Sequence, residues 1–165
     1  MDAPEPVADR PSMPGYGLAA PDDGDGLLPL SWAEERLTEA RNYWVSTADE
    51  TGRPHAMPVW AVWVAGALYF STGRRTRKTR NLTRRPECVV APESGAEAVV
   101  LEGEAEELTD RATRELVATA YTAKYPTGFP PDEPLFRVRP RRVFGLIETP
   151  DRFARTATRW RFDPV

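Results

Sequence analysis

Apolar and polar residues alternate along much of the chain, and a period of two predicts β-strands. The alternation is clearest over residues 97–108, where Val99 and Leu101 alternate with Glu102 and Glu104. Segments rich in β-branched and aromatic residues predict further strands at 43–48, 55–64, 67–71, 88–91, 135–139, 141–148 and 158–162. Because most of these strands are joined by short turns, the pattern predicts an antiparallel meander.

Two segments outside the strands carry helix-start signals. Ser31 and Glu34 fit a capping box at the start of a helix that runs to about Arg41. Residues 109–110 (Thr-Asp) are expected to cap a second helix, which runs to about Lys124. The spacing of all these elements favours a mainly β (α+β) fold, an antiparallel split barrel of six or seven strands with accessory helices, over a parallel sheet.

The first 29 residues differ in composition from the rest. They are rich in proline and acidic residues and lack a periodic apolar pattern, so residues 1–29 are expected to form a disordered or extended tail and residues 30–165 one domain. With one cysteine, Cys88, and one histidine, His55, neither a disulfide framework nor a histidine-cluster metal site is expected within the chain. No membrane-spanning run or signal peptide is recognisable, so a cytoplasmic protein without a membrane partner is expected.

Residues 67–85 carry the strongest charge feature of the sequence. A predicted strand ends at Ser71, a turn follows at residues 72–73, and a helix continues to about Arg85, since Pro86 disfavours helix before it. The stretch has seven basic residues and no acidic one, in a chain of formal net charge −3. Hydroxyl groups, free N–H groups, the helix dipole and side-chain cations together suit an anion. Because the background is acidic and no nucleic-acid-binding motif is present, a specific anionic ligand is favoured over nucleic acid.

Several short motifs, in this order and spacing, resemble those of one known family. They are Gly52-Arg53-Pro54-His55, Pro58-Val59-Trp60, Leu68-Tyr69-Phe70-Ser71-Thr72, Arg77-Lys78 and Val100-Leu101-Glu102-Gly103-Glu104-Ala105-Glu106. The chain from about Ser31 onward is similar to the pyridoxamine 5′-phosphate oxidase-like split β-barrel family. That family includes flavin-binding oxidases and related reductases that use the deazaflavin coenzyme F-420.

The resemblance implies a set of cofactor-binding residues. The cofactor phosphate would be held by Ser71, Thr72, Arg77 and Lys78, and the ring system would lie along the 55–64 strand, against His55, Met57, Pro58, Val59 and Trp60. Trp160 would approach the cofactor or a partner subunit, with core packing as the alternative, and His55 is equally well explained as a partly exposed strand residue. Because Pro58 lacks an N–H, its strand is expected at a sheet edge or a bulge. Homodimers with a cofactor at each interface are usual in the family, so a homodimer is expected.

Departures from the family pattern bear on which cofactor is used. Flavin-binding oxidases of the family usually have Arg and Lys on the ring-binding strand, where this chain has Met57 and Val62. The oxidases also have a glutamine, which corresponds to a position near Ala98 of this chain. The resemblance therefore implies an F-420-dependent oxidoreductase that passes hydride to a small organic substrate, and surplus arginines, Arg74, Arg75 and Arg80, are candidates for binding the anionic tail of F-420. The alternatives are an FMN-binding oxidoreductase and a non-catalytic flavin- or haem-binding protein. No catalytic side chain is assigned, since the cofactor carries the chemistry.

Overall fold

Nine strands and four helices form the part of the chain that this computed structural model describes, residues 5–20 and 23–162. The strands are β1 (Val7–Asp9), β2 (Tyr43–Ala48), β3 (Pro54–Val59), β4 (Ala61–Val64), β5 (Ala67–Ser71), β6 (Glu87–Pro92), β7 (Glu97–Glu107), β8 (Leu135–Ile147) and β9 (Thr158–Arg161). The helices are α1 (Leu30–Glu39), α2 (Arg77–Arg84), α3 (Arg111–Lys124) and α4 (Pro150–Thr156). The predicted mainly β architecture with accessory helices is confirmed, with more strands than the six or seven expected.

All nine strands belong to one antiparallel sheet that forks at β8. The order is β1-β9-β8-β7-β6-β2-β3, while β5 also pairs with β8 and β4 pairs with β5. Leu135–Val138 of β8 lie beside β5, and Arg142–Gly145 lie beside β9, so one long strand serves two branches. The branches do not close on each other, because β3 and β4 follow one another in the chain but do not pair. The result is a split barrel with β3 at an edge, as Pro58 predicted.

The split lies at Trp60, where one continuous strand over residues 55–64 was expected. That expectation was wrong because side chains near the end of α3 hold the chain at this point. Tyr125 stacks on the Trp60 ring with centroids 4.7 Å apart. The Tyr125 hydroxyl accepts a hydrogen bond from the Ala61 N–H at 3.1 Å and lies 2.9 Å from the Ala61 carbonyl oxygen. These contacts use backbone groups of Ala61 that a strand partner would otherwise use.

Strand β8 runs through Pro140, although two separate strands were expected around this proline. A β-bulge explains the difference. The β7–β8 register shifts between Glu102 and Gly103, and Gly103 lies opposite Pro140. A β-carbon on Gly103 would lie 2.2 Å from the Arg139 carbonyl oxygen, so only glycine allows this close approach. Because the bulge interrupts the ladder locally, the missing proline N–H is tolerated there.

The apolar side chains form two cores. The larger fills the inside of the barrel and includes Tyr43, Phe70, Leu101 and Trp160. The smaller lies between β4, β5 and α3. Cys88 is buried, and it belongs to the larger core. Among the described residues, no helix has the length and apolar character needed to cross a membrane.

The helix starts agree with the sequence signals only in part. The Asp110 side chain caps α3 by accepting a hydrogen bond from the Thr113 N–H at 2.8 Å, as expected. The capping box at Ser31 was wrong, because α1 begins two residues earlier, with Pro29 at the N-cap and no side-chain cap. Helix α4 was not anticipated, although a Thr-Pro pair is a recognised helix start and Pro150 is its first residue.

The N-terminal segment, for which a disordered or extended tail was expected, is extended and pairs with the end of the chain. β1 pairs with β9 along its three residues. Asp9 binds Arg159 through two hydrogen bonds, of 2.7 and 2.9 Å, and Arg161 through a third of 3.0 Å. The guanidinium of Arg10 is buried and donates to backbone carbonyls on both sides, including that of Arg155 at 2.6 Å. Residues 1–4 and 21–22 of the expected tail lie outside the described residues.

Candidate anion and cofactor site

Strand β5 leads into α2 through a turn lined with hydroxyl groups. The chain turns over residues 73–76, where the Thr76 N–H donates to the Gly73 carbonyl at 3.0 Å. Thr76 then caps α2 by accepting a hydrogen bond from the Thr79 N–H at 3.3 Å. The Thr76 hydroxyl also lies 3.3 Å from that of Thr72 and 3.0 Å from that of Thr79. The helix therefore starts later than the sequence suggested, and the connection is a row of three hydroxyl groups.

A layer of buried polar side chains separates α2 from the sheet. Five of the seven buried polar or charged residues of the described chain belong to it, namely Thr47, Thr72, Lys78, Thr79 and Asn81. The Asn81 amide donates to the Thr47 hydroxyl at 2.9 Å, which joins α2 to β2. Because burying polar groups is costly unless they are paired, such a concentration indicates either a hydrogen-bonded network or a ligand site.

Lys78 is the member of this layer whose side chain has no hydrogen-bond or ion-pair partner among the described residues. Its side chain lies on the inner face of α2 and is only 9% exposed. Burial lowers its pKa, and no carboxylate of the described chain opposes that effect. Burying an ammonium group without a counter-charge costs several kcal/mol in typical proteins. An anionic ligand would supply the missing charge.

His55 lies on the same face of the sheet as this layer. It is directly opposite Thr47 in the β2–β3 pair, and residues directly opposite share a face. Its Nδ1 atom is buried without a hydrogen-bond partner in the described residues. The pKa of His55 is lowered, first by burial and then by the positive charges of Arg77 and Lys78. The ring is therefore neutral near pH 7 and adjoins two cations.

Arg77 and its neighbours on α2 face the acidic turn between β2 and β3. Arg77 lies 3.6 Å from the Asp49 carboxylate, and Arg84 lies 2.7 Å from that of Glu50. A pocket of about 270 Å³ lies beside these ion pairs, and it is lined by Asp49, Glu50, Thr51, Arg77, Arg80, Asn81 and Arg84. Outside this pocket, the Arg74 side chain pairs with Glu107 at 3.4 Å. The basic stretch is therefore partly neutralised by acids from other segments.

Replacing Asp49 by asparagine should strengthen anion binding at this site. Asp49 holds Arg77 through charge, so an incoming anion must compete with it for the guanidinium. Because the pair is exposed to solvent, the expected gain is only about a few-fold. Titration of the wild type and of Asp49→Asn with FMN and F-420 checks this, with Glu115→Gln, which removes an exposed carboxylate paired with Arg111 on α3, as the control. Equal affinity in Asp49→Asn and the wild type would exclude the competition.

The other residues assigned by resemblance are placed differently. Met57 and Pro58 are exposed on β3, while the side chains of Val59 and Trp160 are buried in the larger core. Trp60 is partly buried and packs against the smaller core. The Ser71 hydroxyl donates to the Pro134 carbonyl at 3.0 Å. The structure therefore brings His55, Thr72, Arg77 and Lys78 together and directs the Trp60 and Trp160 side chains elsewhere.

Residues that the sequence did not single out complete the site. Thr47, Asn81, Thr76 and Thr79 supply its hydrogen-bonded wall, and Asp49 supplies the competing charge. Of these, Thr76 carried a local signal, since a threonine ahead of a helical segment is a common N-cap. No group of three or more potential metal-ligating side chains occurs within residues 5–20 and 23–162.

A larger cleft, of about 690 Å³, lies elsewhere on the sheet, across β2, β6, β7, β8 and β9. Its arginines are already paired, Arg141 with Glu104 at 2.7 Å, Arg142 with Glu102 at 3.4 Å and Arg161 with Asp9 at 3.0 Å. The face of β7 that carries the alternating glutamates is thus solvated and salt-bridged. Because its charges are compensated, this cleft is a weaker candidate for an anion than the surroundings of Lys78.

Cys88 lines the cleft, and we expect its thiol to be unreactive in the folded protein. Burial, and secondarily the charge of Glu87, raises the pKa of Cys88 to about 12, so almost no thiolate forms at neutral pH. A disulfide reagent such as Ellman's reagent should label it only as fast as the protein unfolds, and should label one thiol per chain in urea. Rapid labelling of the native protein at pH 7 would contradict this expectation.

Comparison with known proteins agrees with this fold. The family model for pyridoxamine 5′-phosphate oxidase matches residues 32–147. A conserved hypothetical protein of Mycobacterium tuberculosis has a TM-score of 0.64 at 20% identity, over 73% of this chain and 85% of its own. A FAD-binding protein of Mesorhizobium loti has a TM-score of 0.60 at 20% identity, over 81% and 95%.

An F-420 reductase has a TM-score of 0.53 at 21% identity, over 67% of this chain and 94% of its own. At these identities the solved structures show a shared fold and nothing more. No curated protein sequence matches the chain. Because the family model covers well over half of its length, the chain belongs to the pyridoxamine 5′-phosphate oxidase family.

Proposed function

We propose that this chain is an oxidoreductase that binds a phosphate-bearing flavin-type cofactor at the β5–α2 site, with F-420 as the first candidate. One observation carries the proposal. Within the described part of the chain, Lys78 has a largely buried side chain without a counter-charge, beside a buried and unpartnered His55 Nδ1. Both are groups that an anionic oxygen would satisfy.

The residues present fit a phosphate group. Lys78 supplies a point charge, Arg77 a bidentate donor set once it leaves Asp49, and the Thr72 hydroxyl a further donor. The ring system would lie against the exposed edge strand β3, at Met57 and Pro58. When bound, such a cofactor supplies the hydride chemistry. The chain's own part is to bind, to orient and to exclude water, which fits a site without an evident acid, base or nucleophile.

The choice of F-420 over FMN rests on charge. Neither β3 nor β4 contains a lysine or arginine, so no side-chain cation is available from them for the flavin ring. The pocket beside α2 contains Arg80 in addition to Arg77, which favours a ligand with a longer anionic tail. Of the other arginines assigned to that tail, Arg74 is held by Glu107 and is the weaker candidate. The fold shared with an F-420 reductase is consistent with this choice.

Fluorescence titration of the purified protein with F-420 and with FMN tests the proposal. Saturable F-420 binding much tighter than FMN binding supports the deazaflavin assignment, and a screen of small carbonyl-containing or unsaturated substrates with reduced F-420 then tests turnover. The reverse preference would assign FMN. If neither cofactor binds, the proposed function is wrong.

We further propose that the chain forms a homodimer through the outer face of β2, β3 and β6. Trp44, at the centre of this face, is 49% exposed and lies between Pro58 of β3 and Ala91 of β6. A large exposed aromatic residue among small apolar ones is typical of an interface. Trp44→Glu should convert a dimer to a monomer in sedimentation experiments, while Leu116→Glu, at an exposed leucine on α3, should not. A monomeric wild type would refute the dimer.

A further inference from the structure

The charges around His55 give this residue a role that the fold alone does not assign. From α2 it faces Arg77 and Lys78, which repel a protonated ring. From β2 it faces the neutral Thr47, whose hydroxyl lies 3.5 Å from the His55 carbonyl oxygen. The nearby carboxylate of Asp49 is engaged by the backbone N–H groups of Thr51 and Arg53, each at 3.0 Å, as well as by Arg77. Among the described residues, the imidazole therefore has cations on one side and no free carboxylate of its own.

The balance reverses when an anion enters. A phosphate next to Lys78 and Arg77 cancels the positive potential that, after burial, favours the neutral ring. Opposite charges within about 4–6 Å favour the charged form. The buried Nδ1 also gains the partner that the described protein does not provide. Both effects favour the imidazolium over the neutral ring.

We propose that His55 is a proton-linked phosphate ligand, which takes up a proton from solvent as a phosphate ester binds and donates Nδ1–H to one of its anionic oxygens. The proposal rests on the proposed function, because it places the phosphate at the β5–α2 site. It adds a property of the site that neither the fold nor the family assignment contains. The affinity for phosphate esters decreases as pH rises through the pKa that His55 has in the complex.

The same contact senses the charge of the phosphate. A terminal phosphomonoester such as that of FMN carries about −1.5 to −2 near pH 7, because its second pKa is close to 6. The phosphodiester of F-420 carries a single negative charge. FMN should therefore raise the pKa of His55 more than F-420 does. The size of the proton uptake distinguishes the two chemistries at one position.

The chain offers a direct test, because His55 is its only histidine. In a tag-free protein, the imidazole C–H signals in an NMR titration belong to this residue without further assignment. We expect a pKa below 6.5 in the free protein and a rise of about one unit or more with saturating FMN. Riboflavin, which lacks the phosphate, should leave the value unchanged. An unshifted signal with bound FMN, or an equal shift with riboflavin, overturns the proposal.

A variant separates this proposal from the proposed function. His55→Gln keeps a hydrogen-bonding side chain that cannot be protonated, so FMN binding should persist with its pH dependence much reduced. An undiminished pH dependence in His55→Gln overturns the proton link while leaving the site in place. If the wild type binds neither FMN nor F-420, the proposed function fails. Inorganic phosphate then decides the inference, which is overturned if the histidine signal does not respond.

Discussion

Replacing Lys78 by methionine should stabilise the folded protein and at the same time remove its affinity for phosphate-bearing cofactors. Methionine fills much of the same volume without a charge. The lysine it replaces is largely buried, and its ammonium has no counter-charge among the described residues. Removing an uncompensated buried charge should increase the free energy of unfolding by about 1–3 kcal/mol. Loss of a charge-assisted contact should weaken FMN or F-420 binding by about 10- to 100-fold, or 1.5–3 kcal/mol.

The two effects are measured by urea unfolding and by fluorescence titration of the same preparation. Arg111→Met is the control, because Arg111 is an exposed cation on α3, outside the site, and is paired with exposed Glu115. It should change both quantities by less than about 0.5 kcal/mol. A Lys78→Met protein that is less stable than the wild type yet binds cofactor normally would show that Lys78 is structural.

Replacing Lys124 by methionine should have the opposite effect on stability. Lys124 is half-buried, but unlike Lys78 it has hydrogen-bond partners. Its ammonium donates to the carbonyls of Thr38 at 2.8 Å and Ala61 at 3.1 Å, and to the hydroxyl of Tyr43 at 2.7 Å. These acceptors belong to α1, β2 and β4, so one side chain joins three elements to the end of α3. Loss of these three hydrogen bonds should lower the free energy of unfolding by about 1–3 kcal/mol.

The same urea series measures this loss, with exposed Arg111→Met, which removes only an ion pair to Glu115, as the control. An unchanged Lys124→Met protein would mean that water replaces the ammonium at all three acceptors. The wild type should also show a pH effect that the variant lacks. Burial lowers the pKa of Lys124 to about 8 from 10.5, so between these values the unfolded chain binds more protons and this group's contribution to stability rises with pH.

The two lysines show which parts of the site and the core could be predicted from the sequence alone. Both occur in amphipathic helical segments, and nothing local distinguishes a satisfied buried lysine from an unsatisfied one. Lys78 could be assigned to the same candidate site as Thr72 and Arg77 because strand, turn and helix are contiguous in the chain. The partners of Lys124 lie 63 to 86 residues away in sequence. Only the tertiary structure could identify them.

The same distinction explains the strands. Period-two patterning placed most of the strands, because alternation is a local property of half-buried sheets. It could not place the break at Trp60, which depends on the distant Tyr125, or the continuity of β8, which depends on the bulge opposite Pro140. Likewise, counting charges over residues 67–85 overstated the free positive charge, since Asp49, Glu50 and Glu107 neutralise several of the arginines from other segments.

The pairing of β1 with β9 has a consequence for where this protein can be cut. Both strands lie outside residues 32–147, the range that the family model matches, and each covers an edge for the other. A truncated protein limited to the matched range would lose β9 and expose part of the edge of β8. A truncated protein that keeps β9 but begins at residue 30 would lose Asp9 and leave Arg159 and Arg161 without their shared carboxylate. Exposed strand edges invite pairing between molecules. The two ends of the chain should therefore be kept together.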